Sequence, residues 1–142
     1  RAKEVFEQIL YWDGNNTEAL NNRGVIAYQQ GEVDRAIPYF TQALELDPIH
    51  FEAIENLGNC MAARKSYDKA IEWFEKALQL KPADPALLNS LANCFIQKED
   101  FEKARERYTQ SYQVNGNQPH VREILAELEK LRSFDAERRM AL

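Results

Sequence analysis

TEALNNRGVIAYQQGEVDRAIPYFTQALELDPIH, from Thr17 to His50, recurs without gaps as FEAIENLGNCMAARKSYDKAIEWFEKALQLKPAD from Phe51 to Asp84. It recurs again as PALLNSLANCFIQKEDFEKARERYTQSYQVNGNQ from Pro85 to Gln118. The offset is 34 residues, and what repeats is side-chain size at fixed places. Gly24, Gly58 and Ala92 share one position, Ala36, Ala70 and Ala104 a second, and Phe40, Phe74 and Tyr108 a third. Within each copy the first half carries apolar residues at the three-and-four spacing of a helix with one buried face: Leu20, Gly24 and Ala27, then Ile54, Leu57, Gly58 and Met61. The second half does the same with Ala36, Ile37, Phe40, Ala43 and Leu44. Glycine inside a helix costs about 1 kcal/mol relative to alanine, so Gly24 and Gly58 imply a compensating close approach of the paired helix.

Turn signals fall between the halves and between the copies. Gly31, Lys65-Ser66 and Glu99-Asp100 separate the two helices of each copy. Asp47-Pro48 and Lys81-Pro82 end the second helix, because proline disfavours the helical conformation in the residue before it, and Gly116 takes that place in the third copy.

Together these residues resemble the tetratricopeptide repeat, a pair of antiparallel helices with small residues at positions 8 and 20, an aromatic at 24, and alanine and proline towards the end. The resemblance implies an all-α fold, a right-handed α-solenoid of antiparallel helix pairs. One domain over residues 1–142 is expected, with repeats at 17–50, 51–84 and 85–118. Residues 1–16 read as the second helix of a truncated first repeat, since Ala2, Phe6, Leu10 and Trp12 fall where that helix would put positions 20, 24, 28 and 30. Departures are Arg23 in place of leucine, Ala27 and Met61 in place of an aromatic, and Ser111 and Gly116 in the last repeat.

Beyond Gln118 the pattern changes. Val121, Ile124, Leu125, Leu128, Leu131 and Phe134 make one apolar stripe on an otherwise charged helix, the expected form of a capping helix over residues 119–142. No such cap precedes Ala2, Phe6, Ile9 and Leu10, so that face calls for missing sequence, a partner or a second copy. Arg23 is expected to lay its stem on Phe6 and reach Glu4 or Glu7.

With 44% apolar and 29% charged residues the chain has the composition of a soluble folded protein. No apolar run approaches the roughly 20 residues that cross a bilayer, and RAKEVFEQIL lacks the apolar stretch of a signal peptide. A net charge of −5 without a basic stripe argues against nucleic acid as a partner. Cys60 and Cys94 are too few for a disulfide framework and favour a reducing, cytoplasmic setting. They share one repeat position, but packed helices run about 8–10 Å apart, beyond the roughly 7 Å that a disulfide spans between Cα atoms, so two free thiols are expected. The acceptor triplet Asn15-Asn16-Thr17 reads as an unused coincidence.

Residues that carry chemistry are sparse. His50 and His120 lie apart at turns, read as surface histidines, and have no Cys or His at ligand spacing, so no metal or other cofactor is expected. The glycines never form a phosphate loop, and no Ser or Thr stands in a nucleophile motif. The chain reads as a binding module and not as an enzyme.

In the family the first helices line a concave groove. Carried over, the peptide-binding positions here are Asn21, Asn22, Tyr28, Glu52, Glu55, Asn56, Asn59, Asn89, Asn93, Ile96 and Gln97. Asparagine dominates, and its amide both donates and accepts, so a row of them can hold an extended peptide by its backbone whatever its side chains. The row resembles the asparagine ladder of O-linked N-acetylglucosamine transferases. The family's other groove device, a clamp of lysines, an arginine and asparagines for acidic C-termini, is missing: Asn21, Val25, Asn56, Ala86 and Ser90 match it once, as do Glu55, Asn59, Ser90, His120 and Ile124. Glu18, Glu52 and Glu55 favour a neutral or basic ligand. The expected function is a scaffold that binds a partner protein's peptide. The alternatives are a self-assembling oligomeric scaffold through exposed repeat ends, with the N-terminal half repeat as one such surface, or the arm of a larger enzyme such as a glycosyltransferase.

Overall fold

The structure, a computed structural model, describes residues 2–4 and 16–142. The half repeat expected over residues 1–16, with Phe6, Leu10 and Trp12, thus lies outside the described residues except for 2–4, which are helical, and Asn16. Seven further helices follow: α1 (Thr17–Gln29), α2 (Val33–Leu46), α3 (Phe51–Ala63), α4 (Tyr67–Leu80), α5 (Pro85–Gln97), α6 (Phe101–Val114) and α7 (Pro119–Ala141). No strand occurs among the described residues. The chain divides into two compact units, residues 1–82 and 83–142.

The starts of the first helices follow from local chemistry. Asn16, His50 and Asp84 stand at the N-caps of α1, α3 and α5, where each side chain accepts the N–H of Ala19, Ala53 and Leu87 respectively. Pro85 then fits the first turn of α5, where its missing N–H would have had no partner. Asn16, the middle residue of the glycosylation triplet, is occupied as a cap.

The turns inside the repeats share one geometry. Gly31, Lys65 and Glu99 all take the left-handed conformation, with φ of 81, 62 and 60°. The N–H of the next residue reaches back to a carbonyl five residues earlier: Glu32 to Ala27, Ser66 to Met61, Asp100 to Phe95. A residue with a Cβ pays for that conformation about 1–2 kcal/mol. Lys65→Gly and Glu99→Gly are therefore expected to raise stability by about 0.5–1 kcal/mol each, after the extra freedom glycine gives the unfolded chain. Chemical denaturation checks this, and a loss of stability would show that the turn gains from its side chain.

In the first unit Phe40 and Phe74 are the largest fully buried side chains. Phe40 clusters with Ala27, Ala36, Leu57 and Cys60, so three consecutive helices share one core. The compensation expected for the glycines is found here. A Cβ on Gly24 would lie 2.6 Å from the ring of Phe40, and one on Gly58 would lie 2.6 Å from that of Phe74. Ile37, Leu44 and Met61 are only half-buried. Arg23 lays its guanidinium over the ring of Tyr39, 4.7 Å from the centroid, so its stacking partner is on α2. Phe6 and Glu7 lie outside the described residues.

In the second unit Leu87, Leu88, Leu91, Ala92, Ala104, Ser111 and Val121 form the interior. The departure at Ser111 has a cause. Its hydroxyl donates to the carbonyl of Pro85 at 3.2 Å, and it stands beside the buried amide of Gln118. Helix α7 buries only Val121 and Leu128, and every residue beyond Leu128 is exposed. With 23 residues α7 outruns the 14-residue α6, and in its C-terminal half Leu131 and Phe134 stay 47% and 58% exposed.

Candidate functional site

The eleven positions expected to face a ligand lie on α1, α3 and α5, and packing has divided them into two kinds. Asn21 is buried at 5% exposure and accepts a hydrogen bond from the Asn56 amide at 3.1 Å. The two residues join α1 to α3 and thereby use part of each amide's bonding capacity. Asn89 is spent in a similar way: its amide donates to Oε1 of Gln118 at 2.7 Å.

Gln118 was not singled out by its sequence, yet it organises the end of the third repeat. It is buried, and its Nε2 donates to the carbonyls of Ser111 at 3.1 Å and Asn115 at 2.7 Å. The signal available was positional, since Gln118 aligns with the capping residues His50 and Asp84. A glutamine there, lacking any cap bond, has an amide free to fold back.

Asn22 and Asn59 on the first unit, and Asn93 on the second, have no hydrogen-bond partner among the described residues. Asn22 and Asn59 are half-buried and Asn93 is exposed. Tyr28 shows 36% of its surface at the end of α1. Glu52 and Gln97 are exposed, while Glu55 and Ile96 are half-buried.

The expectation of a surface His50 is corrected. The ring is 8% exposed because both nitrogens are satisfied: Nδ1 accepts the N–H of Ala53 and Nε2 lies 2.6 Å from Oε1 of Glu18. With Nδ1 accepting, the Nε2–H form donates to the carboxylate. Glu52 Oε2 stands 3.8 Å from Nδ1, so two acids flank the imidazole where α1 and α3 begin. His120 is exposed. No group of three or more His, Cys, Asp or Glu is arranged to hold a metal among the described residues.

Both thiols are free and buried. Burial pushes Cys60 and Cys94 up to about 11. At pH 8 only about one thiol in a thousand is then ionised, so native protein should resist alkylation at both sites and react fully once unfolded. The raised values also favour the fold up to about pH 9, a contribution that is lost as pH rises towards 11. Rapid native labelling of either cysteine, followed by mass measurement, would contradict the burial.

A sequence profile of the tetratricopeptide repeat matches residues 1–48 and 21–85, and a second profile of that repeat matches residues 62–128. The chain belongs to the tetratricopeptide repeat family. Comparison with curated proteins finds no match. Among solved structures, this tetratricopeptide repeat chain is similar in fold to MamA from Desulfovibrio magneticus RS-1, at 21% identity and a TM-score of 0.84 over 92% of this chain and 74% of that one. It is similar also to the Yersinia enterocolitica type III secretion chaperone SycD in complex with a peptide of the translocator YopD, at 22% identity and a TM-score of 0.76 over 81% and 93%. The first repeat domain of Spaghetti (RPAP3), bound to the HSP90 peptide SRMEEVD, aligns at 17% identity with a TM-score of 0.77 over 82% and 93%. The fold class expected from the repeats, all-α and built of helix pairs, is the one these likenesses share. No helix among the described residues is long and apolar enough to cross a membrane.

Proposed function

We propose that the chain is a protein-interaction module that binds a peptide segment of a partner protein on its first-helix faces, within the concave groove that the family resemblance implies. The observation that carries this reading is the division among the asparagines. Asn21, Asn56 and Asn89 serve the fold, whereas Asn22, Asn59 and Asn93 keep amides without a partner among the described residues. Asparagine is a poor helix former, so a helix that keeps such amides unpaired gives up stability for them. Each can take one N–H and offer one to a peptide backbone. Tyr28 on the first unit and Ile96 on the second offer apolar surface for such a ligand.

Two structures of similar fold hold peptides, SycD that of YopD and RPAP3 the HSP90 segment, which supports a peptide ligand here. The acidic tail SRMEEVD is a poor match to this chain, whose Glu18, Glu52 and Glu55 would repel it; the ligand is neutral or basic. The proposed setting is cytoplasmic and the proposed role is binding without catalysis. The alternatives, self-association through residues 1–16 and the arm of a larger glycosyltransferase, gain no separate support from the described residues.

A random-peptide display selection, with affinities of the selected peptides measured by fluorescence anisotropy, tests this. Asn22→Ala, Asn59→Ala and Asn93→Ala should each weaken binding by about 0.5–1.5 kcal/mol, several-fold in affinity, with the helical circular dichroism intact. Selected sequences rich in acids, or affinities indifferent to all three substitutions, would end the proposal.

A further inference from the structure

The C-terminal half of α7 carries an apolar face that nothing among the described residues covers. Leu131 and Phe134 are 47% and 58% exposed. Glu127, Leu131, Phe134 and Arg138, spaced by four, three and four residues, fall on one stripe of the helix, offset from the face on which Val121 and Leu128 are buried. An acid therefore stands at one end of the stripe, a base at the other, and two apolar side chains lie between them.

That order identifies the occupant. We propose that the exposed half of α7 pairs with the same half of a second copy of this chain, antiparallel about a two-fold axis between Leu131 and Phe134. In this register Leu131 meets Phe134 of the second copy and Glu127 meets Arg138 of the second copy, each contact occurring twice by symmetry. Lys130 on the flank comes beside Glu137 of the second copy. Parallel pairing would instead set Glu127 against Glu127 and Arg138 against Arg138. A foreign helix of uniform charge would satisfy one end of the stripe and be repelled at the other. Self-complementarity of this kind belongs to an isologous contact.

The contact is short, four seam positions from each copy, so a weak dimer is expected, with a dissociation constant of about 10–100 µM. It uses a surface distinct from the first-helix faces and stands or falls independently of peptide binding.

Sedimentation equilibrium of the whole chain, carried to several times about 100 µM, provides the test. The wild type should approach a dimer as concentration rises. Glu127→Arg alone places arginine against arginine, and Arg138→Glu alone places glutamate against glutamate, so each variant should stay monomeric. Mixed in equal amounts, the two variants should recover the dimer, because every seam charge then meets its opposite. Phe134→Lys should remain monomeric alone and in mixtures. All these side chains are exposed, and circular dichroism would confirm that the variants keep their helices. A wild type that is monomeric throughout overturns the proposal and leaves the face to another occupant. A dimer that Phe134→Lys does not weaken, or a mixture no more dimeric than its components, overturns it equally.

Discussion

Phe74→Ala should remove about 3–5 kcal/mol from the stability of the first unit. The ring is 1% exposed, sits between Ala70 and Ala77 on its own helix, and lies against Gly58 on α3. Each of these neighbours is small because the ring occupies the space, and none can grow to refill it. The loss therefore combines the transfer energy of the ring with a cavity that α3 and α4 can close only by shifting along their whole contact. Against a total of about 5–15 kcal/mol for a natural domain, this is a large fraction. Urea denaturation followed by circular dichroism would measure it, and Phe40→Ala at the corresponding place should behave alike. A loss under about 1 kcal/mol would mean that the ring is not the keystone of its helix pair.

Gly58→Val should cost about 3 kcal/mol, at the upper end of what overpacking does in a core. Even its Cβ would lie 2.6, 2.7 and 3.0 Å from three carbons of the Phe74 ring, well inside contact distance, and valine adds two methyls beyond it. The better helix propensity of valine offsets only a few tenths of a kcal/mol. Gly58→Ala is the milder case, since the gain of about 1 kcal/mol from removing a mid-helix glycine opposes the clash. The decisive measurement is the double variant. With Phe74→Ala in place the ring is gone, and Gly58→Ala should become neutral or stabilising, a reversal of sign that reports direct contact. Additive effects would disprove it. The third repeat differs: Ala92 takes the glycine position and is wholly buried with Tyr108 in place of phenylalanine, so that pair packs with a Cβ present.

The glycine, alanine and aromatic positions were legible because each records a size at a fixed place on a helix, and the same sizes recur 34 residues later. Helix starts were legible for a similar reason, since α1, α3, α5 and α7 begin at Thr17, Phe51, Pro85 and Pro119, one period apart. The left-handed turns were half legible. Gly31 announces its conformation, while Lys65 and Glu99 share it only because the closing bonds of the turn impose it.

Polar partnerships were not legible. Asn21 and Asn22 are neighbours of identical type, yet one is buried against Asn56 and the other has no partner among the described residues. His50 read as a surface residue because only one ring nitrogen finds a partner nearby in the chain, the N–H of Ala53, while the acceptor for the other, Glu18, lies 32 residues back. Gln118 reaches Asn89 across 29 residues. The capping helix was read as a single polar-backed element, whereas α7 covers α6 with its first half and leaves Leu131 and Phe134 exposed beyond it.

The sequence by itself determined the repeat, the helix pairs, their limits and the small-against-large packing, because period and side-chain volume act locally and recur. Only the tertiary structure decided which asparagines pair within the fold, which histidine is buried and which end of the last helix is bare. A polar group's environment depends on the residue that packing brings opposite it, and in this chain that residue lies about one repeat away.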